Sequence, residues 1–214
     1  MKVNLNPETA MKHGNVSERI TESGAHAVTV TRAEEIKSGK GTVGVEFAAK
    51  DDNGATVDYL TIWTQNNKGE EIAGMGALQA LMTCLRLKTI ETSPMEVEKY
   101  TNGSFQKVNV EGFKDIVGKR VGFVLRKELY TKNNGGDGER MLISGFFDAE
   151  TGMTAQEVLT KATEAKQLDK FKAWLEKSPV KDSRRGGGVG LAGVVSAGVK
   201  ASEGGFDEFP DVPF

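Results

Sequence analysis

Aromatic and cationic side chains recur along this chain in a pattern suited to holding unpaired nucleic acid. Tyr59 and Trp63 fall on one face of a predicted strand, on either side of Thr61. Single-strand binders combine aromatic rings, on which each stacked base contributes roughly 1–3 kcal/mol, with cations that follow the phosphates. The residues that we expect to contact DNA are Arg32, Lys40, Lys50, Tyr59, Trp63, Lys107, Arg126, Tyr130, Lys132 and Arg140.

The residue types needed for catalysis or metal binding do not occur at familiar spacings. His13 and His26 are the only histidines and Cys84 is the only cysteine, and together they match no zinc-site pattern. Residues 39–42 lack the spacing of a phosphate loop. Residues 51–54 lack the glutamate that completes a calcium loop, so a hairpin turn is the better interpretation. We therefore expect no enzyme activity, no metal and no cofactor.

The net charge of −2 is unevenly distributed. All 28 lysines and arginines precede residue 203, whereas four of the 30 acidic residues follow residue 202. The first 202 residues therefore carry 28 positive and 26 negative charges, a balance of +2 that permits nucleic-acid binding without indicating it. A single cysteine, and no apolar run long enough to cross a bilayer, predict a cytoplasmic protein.

Alternating apolar and polar residues predict strands that must position these side chains. The predicted strands lie near residues 25–36, 43–49, 56–64, 121–132 and 141–148. An Asn-Gly pair at 53–54 predicts a hairpin between the second and third strands. Helical spacing of apolar residues over 72–85 predicts a helix with Glu70 and Glu71 in its first turn. Residues 88–118 fit either a short strand or a segment lying over the core.

Three strands, a helix and two further strands are the order of elements in an OB-fold, a partly open barrel that binds oligonucleotides. We predict a mainly β protein with helices: an OB-fold-like β-barrel with one inserted helix and one long C-terminal helix. An SH3-like barrel with an inserted helix fits the same order. The C-terminal helix is predicted from a capping box at Thr154 and Glu157 and an apolar stripe that continues to Leu175. This stripe either packs on the barrel or joins subunits of a homo-oligomer.

The chain divides into three predicted parts after this helix. Residues 1–178 form an OB-fold-like nucleic-acid-binding domain, 179–205 a flexible glycine-rich linker and 206–214 an acidic protein-interaction tip. Aromatic residues beside fixed negative charge are typical of segments that become ordered on a partner. The tip residues that we expect to contact a partner are Asp207, Glu208, Phe209, Asp211, Pro213 and Phe214.

Residues 207–214, with the sequence Asp-Glu-Phe-Pro-Asp-Val-Pro-Phe behind a glycine-rich stretch, resemble the acidic tip of bacterial and phage single-stranded-DNA-binding proteins. The resemblance implies binding of single-stranded DNA without sequence specificity during phage DNA replication, recombination or repair. It also implies that the tip recruits replication or recombination proteins, with Phe214 entering an apolar pocket of the partner. For a phage-encoded protein, the implied location is the cytoplasm of the host cell.

Two other functions fit the same sequence. A barrel adaptor that docks on a replication or assembly partner without touching DNA would have the same tail. A strand-annealing recombination protein would bind the same DNA and speed the pairing of complementary strands. A titration with single-stranded DNA distinguishes the adaptor from the other two functions.

Overall fold

The computed structural model describes residues 18–101 and 104–184, and over these ranges the protein is mainly β, as predicted. Eight strands form one open sheet, accompanied by a few short helices. The elements in chain order are β1 (Gly24–Lys37), β2 (Val43–Asp51), β3 (Thr56–Gln65), α1 (Ala73–Cys84), β4 (Ser93–Thr101), β5 (Ser104–Gly112), β6 (Arg120–Thr131), β7 (Asp137–Phe147), α2 (Ala155–Leu159), α3 (Gln167–Lys177) and β8 (Val180–Ser183).

β1 is the strand on which the sheet is built. One of its edges pairs with β2 over most of its length. Along its other edge, the first half pairs with β6, and the second half meets β5 where Glu34 lies opposite Gly112. β3 extends the sheet beyond β2, β7 extends it beyond β6, and all of these pairs are antiparallel. The five predicted strands are confirmed as β1, β2, β3, β6 and β7.

A register shift between Val30 and Arg32 changes which side chains of β1 face the core. Residues three positions apart on a regular strand point to opposite faces. Val30 and Ala33 are nevertheless both fully buried in the same apolar cluster, because the shift inserts an extra residue between them. Arg32 and Glu34 consequently lie on the outer face of the sheet.

The hairpin predicted at residues 53–54 is confirmed between β2 and β3. Gly54 has a φ of +88°, a conformation that glycine adopts without strain. The N–H groups of Asn53 and Ala55 donate hydrogen bonds to Asp51 Oδ1, at 2.9 and 2.8 Å. The acidic residue at the start of this segment therefore stabilises the turn.

The helix after β3 begins later than the sequence predicts. α1 starts at Ala73, and its first turn contains no acidic residue, so the placement of Glu70 and Glu71 in that turn is wrong. Glu70 instead accepts a hydrogen bond from the side-chain amide of Asn66 at 2.7 Å, and Glu71 forms an isolated bridge with Gln65. Both acidic residues belong to the tight turn that precedes the helix.

Residues 88–118, which fit two interpretations in the sequence, contain the β4–β5 hairpin. Its two strands pair antiparallel, with Val97 opposite Val108. Val97 is buried although its neighbours Glu96 and Glu98 are exposed, so one face of the hairpin lies against protein. This alternation of apolar and acidic residues is typical of a β-strand.

The inner face of the sheet encloses the main apolar core. Phe47 of β2 and Phe123 of β6 are fully buried and meet edge to face, with ring centroids 6.2 Å apart. Phe123 meets Phe146 of β7 in the same manner at 5.3 Å. Leu78 and Leu81 of α1 join this core. Since aromatic rings bury large areas and favour edge-to-face contact, these rings tie β2 to the β6–β7 hairpin.

The single long C-terminal helix predicted to begin at Thr154 is wrong, because α2 and α3 are separate helices. The predicted capping box is present: the N–H and the hydroxyl of Thr154 both donate to Glu157 Oε2, at 2.8 and 3.0 Å. Glu157 Oε1 also accepts the N–H groups of Lys166 and Gln167 at the start of α3, at 2.6 and 2.9 Å. Lys161, with a φ of +53°, turns the chain between the helices. One buried carboxylate therefore caps both.

α3 packs on the outer face of the β6–β7 pair. Leu168 and Leu175 form a second apolar cluster with Val124 of β6 and Phe147 of β7. The apolar stripe is thus used within the chain itself, which is the first of its two predicted roles.

None of the three helices in the described ranges is long and apolar enough to cross a membrane.

β8 follows α3 and pairs in parallel with β6, with Val180 opposite Lys127 and Ser183 opposite Tyr130. The prediction of a flexible linker at 179–205 therefore does not hold for residues 180–183. The remaining linker residues after 184, and the tip at 206–214, lie outside the described ranges.

Replacing Glu157 by alanine should lower the free energy of unfolding by about 2 kcal/mol, since two helix caps of about 1 kcal/mol each are lost together. Burial opposes ionisation of Glu157, but hydrogen bonds from Thr154, Gln167 and Lys166 outweigh it and lower the pKa. The contribution of Glu157 is therefore complete above the pKa of an unfolded glutamate and is lost as the pH falls through the lower folded pKa.

Chemical denaturation at about pH 7 and at about pH 3 measures this difference between wild type and variant, which should be smaller at the lower pH. Glu164→Ala is the matched control, because Glu164 lies between the same two helices with its side chain 69% exposed, in a surface pair with Lys166. Equal losses in the two variants would show that Glu157 is not the shared cap.

Candidate nucleic-acid interface

Tyr59 of β3 projects from the outer face of the sheet and is 53% exposed. Its backbone φ is +60°, a left-handed conformation that costs on the order of 1–3 kcal/mol for a residue with a side chain and that concentrates at functional sites. It lies at a register shift between β2 and β3, next to the pairing of Phe47 with Leu60. The shift places an exposed aromatic ring beside a fully buried leucine.

Arg32 supports the ring of Tyr59. The Cζ atom of Arg32 lies 5.5 Å from the centroid of the tyrosine ring, a cation–π contact. Arg32 itself is buried; its Nη2 donates to Glu46 Oε1 at 2.9 Å, and its Nε lies 3.1 Å from Glu34 Oε1. A residue predicted to contact phosphate thus holds an aromatic side chain in place.

Two carboxylates and a lysine complete this group on the outer face. Glu34 is 1% exposed, and Lys99 of β4 places its Nζ 2.6 Å from Glu34 Oε1, which fastens the β4–β5 hairpin to β1. Burial raises the pKa of Glu46 against the opposing attraction of Arg32, and the nearby charge of Glu34 adds to the increase. Two cations and two carboxylates balance, so this group gives the face no net charge.

Glu34, Glu46 and Lys99 are functional candidates that the sequence analysis missed. In β2, Glu46 alternates with Val45 and Phe47, and that alternation is a signal that could have placed it on the outer face. Glu34 lies on the outer face only because of the register shift in β1, which alternation does not predict. Lys99 gave no such signal, because its contact with β1 depends on how the β4–β5 hairpin lies.

Trp63 lies on the same side of β3 as Tyr59, as predicted, and is half-buried. It pairs with Gly44 of β2, and a Cβ atom at Gly44 would lie 2.9 Å from Cε3 of the indole. The ring therefore rests against a glycine of the neighbouring strand. Leu60 and Ile62, on the other side of β3, are fully buried, which confirms the two predicted faces.

A second aromatic group lies at the turn between β6 and β7. Arg140 stacks on Tyr130, with Cζ 5.1 Å from the ring centroid, and its Nε donates to Glu128 Oε2 at 2.6 Å. A Cβ atom at Gly138 would meet Tyr130 Cζ at 2.7 Å and Lys132 Cε at 3.0 Å, so both side chains lie over this glycine. Three predicted contacts, Tyr130, Lys132 and Arg140, are thus brought together.

Glu128 fixes the charge balance of this second group. It is buried, and it accepts hydrogen bonds from Arg140 and from the Ser183 hydroxyl at 2.8 Å, with Lys181 Nζ 3.6 Å away. Burial opposes its ionisation, but the hydrogen bonds of Ser183 and Arg140 outweigh burial and lower its pKa. Glu128 is therefore a fixed negative charge that neutralises Arg140 and fastens β8 to β6.

Arg126 forms hydrogen bonds at the C-terminal end of α3. Its Nε donates to the Ser178 carbonyl at 3.0 Å and its Nη2 to the Ser178 hydroxyl at 2.5 Å. Its Cζ lies 4.7 Å from the ring centroid of Trp174. A cation at a helix C-terminus satisfies free carbonyls and the helix dipole. Arg126 is therefore occupied by contacts that hold the chain together.

The remaining predicted cations lie apart from the two aromatic groups. Lys40 is in the turn between β1 and β2, Lys50 is near the end of β2, and both are exposed. Lys107 of β5 is exposed and its Nζ donates to Glu96 Oε1 at 2.7 Å. The predicted contacts therefore form one group on β1–β3, one on β6–β7, and separate exposed lysines.

Cys84 is buried, and burial raises the pKa of its thiol to about 12, which favours the protonated thiol over the thiolate. No cluster of three or more potential metal ligands occurs within the described ranges.

The predicted tip contacts, Asp207, Glu208, Phe209, Asp211, Pro213 and Phe214, lie outside these ranges. No protein-family model matches the chain, and no curated protein matches it.

Replacing Arg126 by alanine should lower the free energy of unfolding by about 1–3 kcal/mol, through loss of two charge-assisted hydrogen bonds and the stacking on Trp174. Arg126→Lys should recover less than half of that loss, because lysine keeps the charge but lacks the planar fork. Chemical denaturation, followed by circular dichroism, measures both variants. Full recovery by lysine would contradict this structural role, and Lys132→Ala provides an exposed control.

Proposed function

We propose that this protein binds single-stranded DNA without sequence preference, and that the outer face of β3 is where bases stack. The observation that carries the proposal is Tyr59, which is half-exposed in a left-handed conformation and is backed by the guanidinium of Arg32. Trp63 lies on the same face two positions beyond Thr61. Stacking on two aromatic rings is sequence-tolerant, because every base has a π-face.

We also propose that the sheet is an OB-like, partly open barrel with the β4–β5 hairpin inserted. Support comes from the chain order β1–β2–β3–α1, from the pairing of β1 with both β2 and β6, and from the pairing of β6 with β7. In such barrels the second and third strands and the adjoining loops bind oligonucleotides. Tyr59 and Trp63 lie on the third strand, and Lys40 lies in the loop between the first two.

We expect electrostatic attraction to phosphates to contribute only modestly to the affinity for DNA. Arg32, Arg126 and Arg140 are engaged with carboxylates or with the end of α3, so their charges are already balanced or occupied. Exposed lysines such as Lys50 are left to contact phosphates. Affinity should therefore fall with salt by a log–log slope near −0.7 for each phosphate neutralised, with few phosphates involved.

The acidic tip has a separate role in the proposal. Residues 206–214 recruit replication or recombination proteins, as their resemblance to the tips of single-stranded-DNA-binding proteins implies. Phe209 and Phe214 supply the apolar contacts, and Asp207, Glu208 and Asp211 supply charge. The barrel would then hold the DNA while the tip attracts proteins that act on it, in phage replication, recombination or repair.

A second candidate is a barrel adaptor that docks on a replication or assembly partner and does not bind DNA. The engagement of three predicted DNA-contacting arginines in internal contacts favours this alternative. Under it, the exposed ring of Tyr59 would be a protein contact. Titration with an oligonucleotide separates the two candidates.

Tyr59→Ala should weaken binding to a poly-dT oligonucleotide by about 5- to 150-fold, the equivalent of roughly 1–3 kcal/mol for one lost stack. Tyr59→Phe should bind as the wild type does, since a phenyl ring stacks equally well. Fluorescence quenching measures the affinity, and a Trp174→Phe background leaves Trp63 as the only indole, because the chain has two tryptophans.

Tyr130→Ala is the matched aromatic control, because Tyr130 is also stacked by an arginine but lies on β6. If Tyr130→Ala weakens binding and Tyr59→Ala does not, the bases stack on the β6–β7 group. No binding by the wild-type protein at low salt would overturn the DNA proposal and leave the adaptor.

A further inference from the structure

Glu46 of β2 lies in the middle of the proposed stacking face. It pairs with Thr61, which stands between Tyr59 and Trp63 along β3, and directly paired residues of antiparallel strands project from the same face. The side chain of Glu46 is 15% exposed, so it is accessible from this face. A base stacked on either ring and turned towards Thr61 therefore brings one of its edges to the Glu46 carboxylate.

Small residues flank Glu46 along its own strand. Gly44 and Ala48 occupy the outward positions two residues before it and two residues after it. A Cβ atom at Gly44 would lie 2.9 Å from Cε3 of Trp63, so the indole already rests where a larger side chain would stand. Within β2 the carboxylate is thus bordered by a hydrogen atom and a methyl group, which leave room for a flat base beside it.

The Glu46 carboxylate is held in a fixed position relative to the ring of Tyr59. Arg32 Nη2 donates to Glu46 Oε1 at 2.9 Å, while Cζ of the same guanidinium lies 5.5 Å from the tyrosine ring centroid. Arg32 and Lys99 together offset the charges of Glu34 and Glu46, so the carboxylate adds no net repulsion of phosphates. An acceptor that is already oriented loses little freedom when a ligand binds.

A carboxylate in this position distinguishes bases by the group at C4 of the pyrimidine ring. An ionised carboxylate accepts hydrogen bonds and donates none. The bases of a single strand have their Watson–Crick edges unpaired and free to be read by side chains. Cytosine offers an amine at C4, which donates to a carboxylate, whereas uracil and thymine offer a carbonyl oxygen there, which a carboxylate repels.

We propose that Glu46 Oε2 accepts a hydrogen bond from the exocyclic amine of a base stacked beside it, so that this face prefers cytosine over uracil and thymine. The inference rests on the proposed function and adds a bias for one kind of base at one position. Binding stays tolerant of sequence, because stacking on Tyr59 and Trp63 works for every base. One charge-assisted hydrogen bond corresponds to a preference of about tenfold.

The test uses three oligonucleotides of equal length, made of deoxycytidine, deoxyuridine or the deoxyriboside of 2-pyrimidinone. All three bases have one six-membered ring and no methyl group, and at C4 they carry an amine, a carbonyl oxygen and a hydrogen atom respectively. Competition titrations at neutral pH and low salt measure the three affinities. For the wild-type protein we expect deoxycytidine to bind most tightly and deoxyuridine least tightly, with about a tenfold difference between them.

Glu46→Gln should move the ratio of the deoxycytidine and deoxyuridine affinities by about tenfold towards deoxyuridine, because glutamine keeps an oxygen for Arg32 and replaces Oε2 by an amide donor. Tyr59→Ala should weaken binding of all three oligonucleotides by a similar factor. Glu96→Gln is the matched control, because Glu96 is also a carboxylate paired with a cation, Lys107, but lies in the β4–β5 hairpin with its side chain 56% exposed. It should leave the ratio unchanged.

The possible results separate this inference from the DNA proposal. A ratio that Glu46→Gln leaves unchanged would refute the base preference while DNA binding stands. Equal weakening of all three oligonucleotides by Glu46→Gln would also refute it, and would show that Glu46 only holds Arg32 behind Tyr59. Failure of the wild-type protein to bind any of the three would overturn the DNA proposal itself.

Discussion

The extra residue in β1 between Val30 and Arg32 is the constraint on which the candidate interface depends. β1 must present Val28, Val30 and Ala33 to one core while it pairs with β2 on one edge and with β6 and β5 on the other. A regular strand cannot do this, because its side chains alternate strictly. The shift in register that solves the packing problem also places Arg32 on the outer face, within reach of Tyr59. Core packing and the position of Arg32 beside the exposed ring of Tyr59 therefore have a common origin.

Buried carboxylates organise the three regions outside this core. Glu34 joins β1 to the β4–β5 hairpin, Glu128 joins β6 to β8, and Glu157 joins α2 to α3. Each is buried; Glu128 and Glu157 accept several hydrogen bonds, and Glu34 forms ion pairs with Arg32 and Lys99, and such pairing is the condition under which burial of a charge is tolerated. The same carboxylates explain why basic residues that seemed available for phosphates are engaged elsewhere.

Much of the sheet could be predicted from sequence, because alternation and the Asn-Gly turn are local signals. The two faces of β3, with Tyr59 and Trp63 outside and Leu60 and Ile62 inside, follow from alternation alone. The prediction of a single C-terminal helix was wrong because the break depends on Glu157, which caps a second helix ten residues further on. Apolar periodicity carries no information about such a contact. The contacts of Arg126 with Ser178 and of Arg140 with Glu128 were not predicted for a similar reason, because these residues become neighbours only through folding. The OB-like closure and the role of the tip stay predictions.

The parallel pairing of β8 with β6 makes one carboxylate answer for two parts of the molecule. Glu128 of β6 accepts hydrogen bonds from Arg140 of β7 and from the Ser183 hydroxyl of β8. A substitution at Glu128 would therefore release the guanidinium that lies over Tyr130 and loosen the last described strand at the same time.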